Sequence, residues 1–183
     1  MIIMNKVLLS ISFVLISIFA FSQASVSVGL KAGANFANTN IDGAESVTAF
    51  HGGAYGMFKF TKIGIQPEIL FSKQGDDDVD LSYVNIPVML KYYLAAGLNL
   101  QAGPQFGVLL NAEDGDGDDI SEGLKNSDLS AAIGAGWDAP FGLNFTARYV
   151  IGLSDINDVS GGSDVKNRMF QLSVGYDLFK FGK

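Results

Sequence analysis

The chain contains a single histidine, His51, which would be the only conventional general base for a hydrolase of the serine–histidine–acid type. No serine or acidic residue stands in a recognisable motif around it, and the alternation of side chains places it on an inward face near the end of a strand. The sequence also lacks a phosphate loop, a nucleotide fingerprint and zinc-ligand spacing. We therefore predict a structural role for His51, no catalytic residue and no cofactor, with a membrane-embedded hydrolase as an alternative.

A second candidate for chemistry is an acidic stretch in which Asp114, Asp116 and Asp118 alternate with glycines. Alternate carboxylates can surround a hard cation such as calcium. An EF-hand loop counted from Asp114 requires glycine at position six and glutamate at position twelve, where this chain has Asp119 and Lys125. The pattern is typical of a solvated acidic loop, and weak binding of a divalent cation that bridges lipopolysaccharide is the alternative.

A third candidate is a set of isolated charges within stretches of alternating polar and apolar residues. By alternation these five side chains share one polar, inward face: Lys31, Lys59, Glu68, Lys91 and Arg148. They could line a selective pore or form an ion-pair network in a closed interior. We favour the network because eight strands enclose a space that side chains about fill.

The elements that position these residues are strands, as the segment from Ile63 to Leu94 illustrates. Its two halves alternate between an apolar and a mixed face with a period of two, around a polar loop at Gly75–Asp80. Similar stretches recur along the chain. The third predicted strand begins at Ile63. The other seven cover Val26–Ala37, Ala49–Phe60, Tyr83–Leu94, Leu98–Asn111, Ser127–Asp138, Leu143–Leu153 and Arg168–Phe181.

The predicted connections alternate between long and short, with four long polar loops on one side and three tight turns on the other. This alternation favours an eight-stranded antiparallel up-and-down barrel, an all-β fold. Such a barrel is either a membrane barrel with an apolar outside or a soluble lipocalin-like cup with an apolar inside. Because the polar faces carry few charges and aromatic residues cluster near the short turns, we predict a transmembrane barrel.

The distribution of charge along the chain also favours a membrane barrel. Of 19 acidic residues, all except Glu68, Asp138 and Asp177 lie in or beside the four long connections, so charge is excluded from the strand bodies. The net charge is −7, and no basic stripe exists, which argues against a nucleic-acid partner. Met1–Ser22 has the Lys6 charge, an apolar run and small residues before Gln23, which predicts a cleavable signal peptide ahead of a barrel domain at residues 23–183.

Several segments resemble the outer-membrane β-barrel family common in Bacteroidota, often labelled PorT-like. They are Gly29–Asn38, Ile65–Gly75, Tyr83–Leu94, Ala102–Leu110, Ala147–Ile156 and Lys166–Tyr176. The resemblance implies an outer-membrane barrel with periplasmic termini and brings no catalytic residues. We therefore expect a non-enzymatic integral outer-membrane protein with acidic surface loops and a structural, adhesive or surface-assembly role. Its partners would be outer-membrane lipid, lipopolysaccharide and an unidentified surface or periplasmic protein, and a narrow porin-like channel is the main alternative.

Three prolines, Pro67, Pro87 and Pro104, fall inside predicted strands. Proline lacks the N–H that a ladder requires, so we expect a bulge, or a displaced strand, at these positions.

Overall fold

The computed structural model describes residues 24–37, 47–76, 79–114, 127–153 and 168–182. These residues form eight strands that close into one antiparallel barrel, each strand pairing with its chain neighbours and β1 pairing with β8. The strands are β1 (Ala24–Ala37), β2 (Val47–Phe60), β3 (Ile63–Asp76), β4 (Val79–Tyr93), β5 (Leu98–Asp114), β6 (Ser127–Asp138), β7 (Leu143–Gly152) and β8 (Arg168–Gly182). The predicted eight-stranded up-and-down barrel is confirmed. The predicted signal peptide lies outside the described residues.

The two ends of the barrel differ. At one end, which we call the turn end, lie the short links 61–62, 94–97 and 139–142 together with the first residue of β1 and the last of β8. At the other end, the loop end, lie the last described residues of β1, β3, β5 and β7 and the first of β2, β4, β6 and β8. At the turn end, Thr61 and Ala96 have positive φ angles of 54° and 52°, as tight strand connections often require.

One of the four long connections is shorter than the sequence indicated. We expected a loop over Gly75–Asp80, but β3 continues to Asp76 and β4 begins at Val79, and these two residues pair with each other. The acidic composition suggested a loop, whereas continued antiparallel pairing of two adjacent strands extends the hairpin until two residues remain between them. β5 likewise continues past the predicted Asn111 to Asp114, which pairs with Val79.

The strands place apolar side chains outside the barrel and polar side chains inside it, as in a membrane barrel. In β3, Ile65 and Ile69 point outward and are 50% and 53% exposed, while Gln66 and Glu68 point inward and are each 1% exposed. Large apolar side chains cover the outside along every strand, and most of the buried inward side chains are polar. This arrangement is the reverse of a soluble cup and places the apolar band where lipid can cover it. No helix of membrane-spanning length and hydropathy occurs among the described residues.

The three strand prolines interrupt the ladder without displacing it. On the side of each proline that faces the preceding strand, two residue pairs are missing, yet pairing resumes beyond the gap in the same register. The pairs on either side of the gap are Tyr55↔Glu68 and Phe58↔Ile65 at Pro67, Pro67↔Val88 and Leu70↔Asn85 at Pro87, and Pro87↔Gln105 and Leu90↔Ala102 at Pro104. The expected bulge or misplaced strand was therefore wrong at all three positions. A missing N–H removes the local hydrogen bonds, but the flanking pairs hold the register.

A register shift occurs instead near the end of β8, where Val28 pairs with Phe179 and Gly29 with Asp177. The extra residue, Leu178, reverses which side chains point inward, because strand faces alternate with a period of two. Phe179 therefore faces outward at 63% exposure, and Lys180 is opposite the buried Ser27.

Candidate functional site

The centre of the barrel interior is a buried ion triad. Glu68 on β3 accepts a hydrogen bond from the Lys31 Nζ at 2.7 Å and two from the Arg148 guanidinium at 2.8 and 2.5 Å. Gln66 also donates to Glu68, and the Arg148 Nε donates to Gln101 at 2.9 Å. One carboxylate thus faces two cations, with neutral amides accepting or donating the remaining bonds. Burial of these charges is tolerated because each is paired and hydrogen-bonded.

An apolar row closes the interior next to the triad. Met89, Ala132, Val150 and Met169 form a buried cluster that crosses from β4 to β8. Met89 and Val150 each lie one inward position nearer the loop end than Lys91 and Arg148 on the same strands. Five large side chains in this region are each less than 2% exposed: Arg148, Lys91, Leu70, Met89 and Glu68. Among the described residues, the middle of the barrel is therefore packed with side chains.

Toward the turn end, a second cluster surrounds Asp138. The Lys91 Nζ donates to its Oδ1 at 3.1 Å, the Tyr93 hydroxyl to its Oδ2 at 2.5 Å and the Asn99 amide to its Oδ1 at 3.3 Å. The Lys59 Nζ lies 3.8 Å from the centroid of the Tyr93 ring, a cation–π geometry. One carboxylate is thus close to two ammonium groups and a phenol.

In a third cluster, the carboxylate of Asp177 accepts hydrogen bonds from neutral hydroxyl groups. Its Oδ1 accepts hydrogen bonds from the Tyr55 hydroxyl at 2.6 Å and the Ser27 hydroxyl at 3.1 Å. The Asn144 amide in turn donates to the Tyr55 oxygen at 2.6 Å. Asp138 and Asp177 are both near a cavity of about 410 Å³ at the turn end, which their side chains help to line.

The five charges predicted to share the inward face therefore divide between two clusters. Lys31, Glu68 and Arg148 form the triad, while Lys91 and Lys59 belong to the cluster at Asp138. The predicted set of five interior charges did not include Asp138 and Asp177. Extending the alternation of faces to the end of β6 places Asp138 inward, and the alternation along β8 places Asp177 on the same face as Gln171 and Ser173.

His51 is held between two polar side chains. Its Nδ1 is 2.7 Å from the Asn35 Oδ1, and its Nε2 is 2.8 Å from the Ser173 Oγ. The ring crosses β1 at Gly33, where a Cβ would lie 2.7 Å from the His51 Cε1. Asn35, His51 and Ser173 are 1%, 4% and 6% exposed. The connectivity is that of a nucleophile, a base and an orienting group, but the serine lies inside the packed wall.

The candidate cation loop falls mostly outside the described residues. Asp114 is the last residue of β5, while Asp116 and Asp118 are not described. In the ranges that are described, no three His, Cys, Asp or Glu side chains are grouped so that they could hold a metal ion. The loop remains a prediction.

With the geometry established, the sequence and fold can be compared with known proteins. A family model described as "Outer membrane protein beta-barrel domain" matches residues 10–177, most of the chain. The chain belongs to this family. Membership assigns the barrel to the outer membrane and agrees with its apolar exterior. Among curated proteins, no match to the sequence was found.

Solved structures of two other proteins share the fold of this family member. The crystal structure of Neisserial surface protein A superposes with a TM-score of 0.55 at 13% identity, covering 85% of this chain and 99% of that one. Ail, the attachment invasion locus protein of Yersinia pestis, gives 0.54 at 14% identity, covering 87% and 99%. Ail has also been solved with the heparin analogue sucrose octasulfate, with a TM-score of 0.50, 13% identity and the same coverage of both chains. At these identities the likeness shows the fold.

Proposed function

We propose that this protein is a non-enzymatic outer-membrane surface protein that contacts partners through its loop end. The loop end would face outward, and the turn end with both strand termini would face the periplasm. The observation that carries this proposal is the combination of a packed interior with a strongly charged end. Side chains about fill the centre of an eight-stranded barrel, which leaves its ends as the surfaces for partners.

The charge at the loop end defines the partner's chemistry. The sequence segments that form this end, residues 37–48, 73–82, 111–129 and 153–168, contain sixteen acidic and four basic residues. The excess of twelve negative charges creates a field that attracts cationic partners and repels polyanions. We therefore propose adhesion or assembly with a basic protein surface, or through divalent cations with lipopolysaccharide.

The structural similarity to Ail supports a surface role, but the ligand of Ail differs from the partner proposed for this chain. Ail is named for attachment and was solved with a sulfated heparin analogue. A sulfated ligand suits a basic surface, whereas the acidic loop end of this chain would repel it. We propose that this protein attaches to a partner that carries positive charge, opposite to the charge of its loop end. At the level of subfamily, we propose a PorT-like protein of Bacteroidota, exported through the predicted signal peptide.

Orientation and surface role can be tested on intact cells. Trypsin should cleave after Lys125, in residues 115–126 at the loop end, and should leave the bond after Lys62 in the turn at 61–62 intact. Cleavage after Lys62 alone would reverse the orientation. Attachment of expressing cells to a poly-lysine surface should fall when Asp116, Asp118 and Asp119 are changed to asparagine and should be unchanged by Lys62→Gln. Equal attachment of the two variants would contradict the proposed role of the loop end.

The alternative of a narrow channel is opposed by the packing of the interior. Triad residues and the apolar row are buried across the middle of the barrel. Purified protein in planar bilayers should therefore give no discrete conductance steps. Regular ion-selective steps that disappear on boiling would instead support a pore lined by the interior charges.

A hydrolase is the second candidate, because the structure places Ser173, His51 and Asn35 in line. All three are buried, so a substrate carbonyl would have no access to the serine oxygen. A fluorophosphonate probe should therefore leave Ser173 unlabelled in the folded protein. Labelling that is lost in both Ser173→Ala and His51→Ala would establish catalytic competence.

A further inference from the structure

The turn end of the described interior combines open volume with buried charged groups. Its cavity of about 410 Å³ is within the size range of small-molecule sites. Lys91 and Tyr93, which line it, are 1% and 6% exposed, so their polar atoms are held in place by the barrel wall. A cavity with fixed, buried polar groups is preorganised for a ligand, unlike an open surface depression.

One side of the cavity has an excess of positive charge. The carboxylate of Asp138 is shared between the Lys91 ammonium, at 3.1 Å, and its neutral partners Tyr93 and Asn99. The nearby ammonium of Lys59 rests on the face of the Tyr93 ring and has no carboxylate within 4.0 Å among the described residues. Lys180, turned inward by the shift at Leu178, adds an exposed cation at the rim.

The other side has a negative charge without a counter-ion. Within the part of the chain that the structure describes, the carboxylate of Asp177 accepts hydrogen bonds only from the neutral hydroxyls of Ser27 and Tyr55, both at Oδ1. Its Oδ2 receives no hydrogen bond from these residues. A carboxylate that is partly buried and bonded through one oxygen favours a cationic donor at the other.

We propose that the turn-end cavity binds a small zwitterion that carries a primary ammonium group and an anionic group, such as an amino acid. The ammonium pairs with Asp177, and the anionic group pairs with Lys59, whose side chain moves from the Tyr93 ring to reach it. A ligand with both charges satisfies both sides of the cavity. A simple cation or a simple anion satisfies one side and meets repulsion from the other.

The test uses purified, refolded protein in a non-ionic detergent, so it does not depend on which compartment the turn end faces. The probes are γ-aminobutyrate and two analogues that keep its four-carbon chain but only one charge, butyrate and n-butylamine. Saturation-transfer NMR measures the dissociation constants. Emission of Trp137, the only tryptophan and a residue of the cavity wall, reports where binding occurs.

The zwitterion should bind about tenfold more tightly than either analogue, the difference expected for one additional charged hydrogen bond. Asp177→Asn, which still accepts bonds from Tyr55 and Ser27, should weaken binding about tenfold, and Lys59→Met should weaken it similarly. Lys62→Met is the matched control, because this exposed lysine is near the same end but does not line the cavity.

Three results would overturn the proposal. The first is equal affinity for γ-aminobutyrate and one of its single-charge analogues. The second is undiminished binding by both Asp177→Asn and Lys59→Met, with all variants shown to be folded by the mobility shift between unboiled and boiled samples. The third is no saturation transfer to any ω-amino acid from glycine to 6-aminohexanoate at about 50 mM, a concentration at which even a ligand of millimolar affinity saturates.

Discussion

The inner and outer faces of the barrel wall are made by the same strands but are stabilised in different ways. On the outer face, Ile65 and Ile133 have no polar partner to satisfy and need only an apolar environment. On the inner face, Glu68 and Arg148 depend on specific hydrogen bonds from side chains on other strands. An outward residue is therefore replaceable by any apolar side chain, whereas an inward one is tied to its partners.

The comparison shows where the fold is specified. Lipid is a uniform partner, so the outer face constrains hydropathy but not identity. Inside, Lys31 on β1, Glu68 on β3 and Arg148 on β7 are brought together by closure of the barrel. We expect substitutions to have effects that depend on this difference, and four of them test it.

The largest effect is expected for Glu68→Gln, which removes the anion between Lys31 and Arg148. Two buried cations without a counter-ion should lower the free energy of unfolding by about 3–5 kcal/mol. The measurement is reversible guanidinium unfolding in phospholipid vesicles. A triple variant, Lys31→Met, Glu68→Leu and Arg148→Met, should recover most of this loss, because well-packed apolar groups often replace a buried ion triad without cost. A tolerated Glu68→Gln would show that the triad is not tightly coupled.

A smaller effect is expected for a charge on the outer face. Ile133 is the central outward residue of β6, and Ile133→Arg should lower the free energy of unfolding by about 2–4 kcal/mol in the same vesicles. Phe141→Arg, in the turn-end link, is the control and should cost about 0–1 kcal/mol. Equal costs at the two positions would mean that Ile133 does not lie near the middle of the lipid.

Ser173→Ala tests an inner-face bond between neutral groups. Loss of the hydroxyl leaves the buried His51 Nε2 without its partner and should lower the free energy of unfolding by about 1–3 kcal/mol. Ser25→Ala removes an equally buried inward hydroxyl for which the described residues supply no hydrogen bond, and it should be close to neutral. If both serines prove equivalent, the bond to His51 contributes nothing to stability.

The smallest effect is expected for Trp137→Phe, where the outer face carries a hydrogen bond. The Trp137 Nε1 donates to the carbonyl of Ala96 at 2.9 Å, and its ring stacks on Phe145 at 5.9 Å between centroids. Phenylalanine keeps the stacking but loses the donor, which should cost about 0.5–1.5 kcal/mol. Equilibrium unfolding followed by circular dichroism gives the value. A loss above 3 kcal/mol would indicate that this indole is bound more firmly than other residues of the outer face.

Alternation with a period of two was enough to predict the barrel and the inward position of Lys31 and Glu68, since each strand follows one local rule. The partner of each charge could not be predicted, because it depends on the stagger between strands far apart in sequence. His51 and Ser173, for example, are separated by 122 residues and meet only through the pairing of β1 with β8.

Local irregularities were also beyond the sequence pattern. The shift at Leu178 leaves no mark on hydropathy, yet it turns Lys180 toward the turn-end cavity. Continued pairing of Asp76 with Val79 prevailed over an acidic composition that is typical of loops.

The three strand prolines have a consequence for how the wall deforms. Each leaves a two-pair gap toward the preceding strand, and the gaps fall on the successive interfaces β2–β3, β3–β4 and β4–β5. Because ladder pairs are missing there, we expect an oblique line of reduced shear stiffness across these three neighbouring interfaces. When the surrounding bilayer compresses or tilts the cylinder, the cross-section should become elliptical along this line, while the wall from β5 to β8, whose interfaces are paired without a gap or a register shift, stays round. Amide protons beside the gaps should accordingly exchange with deuterium before those of β6 and β7.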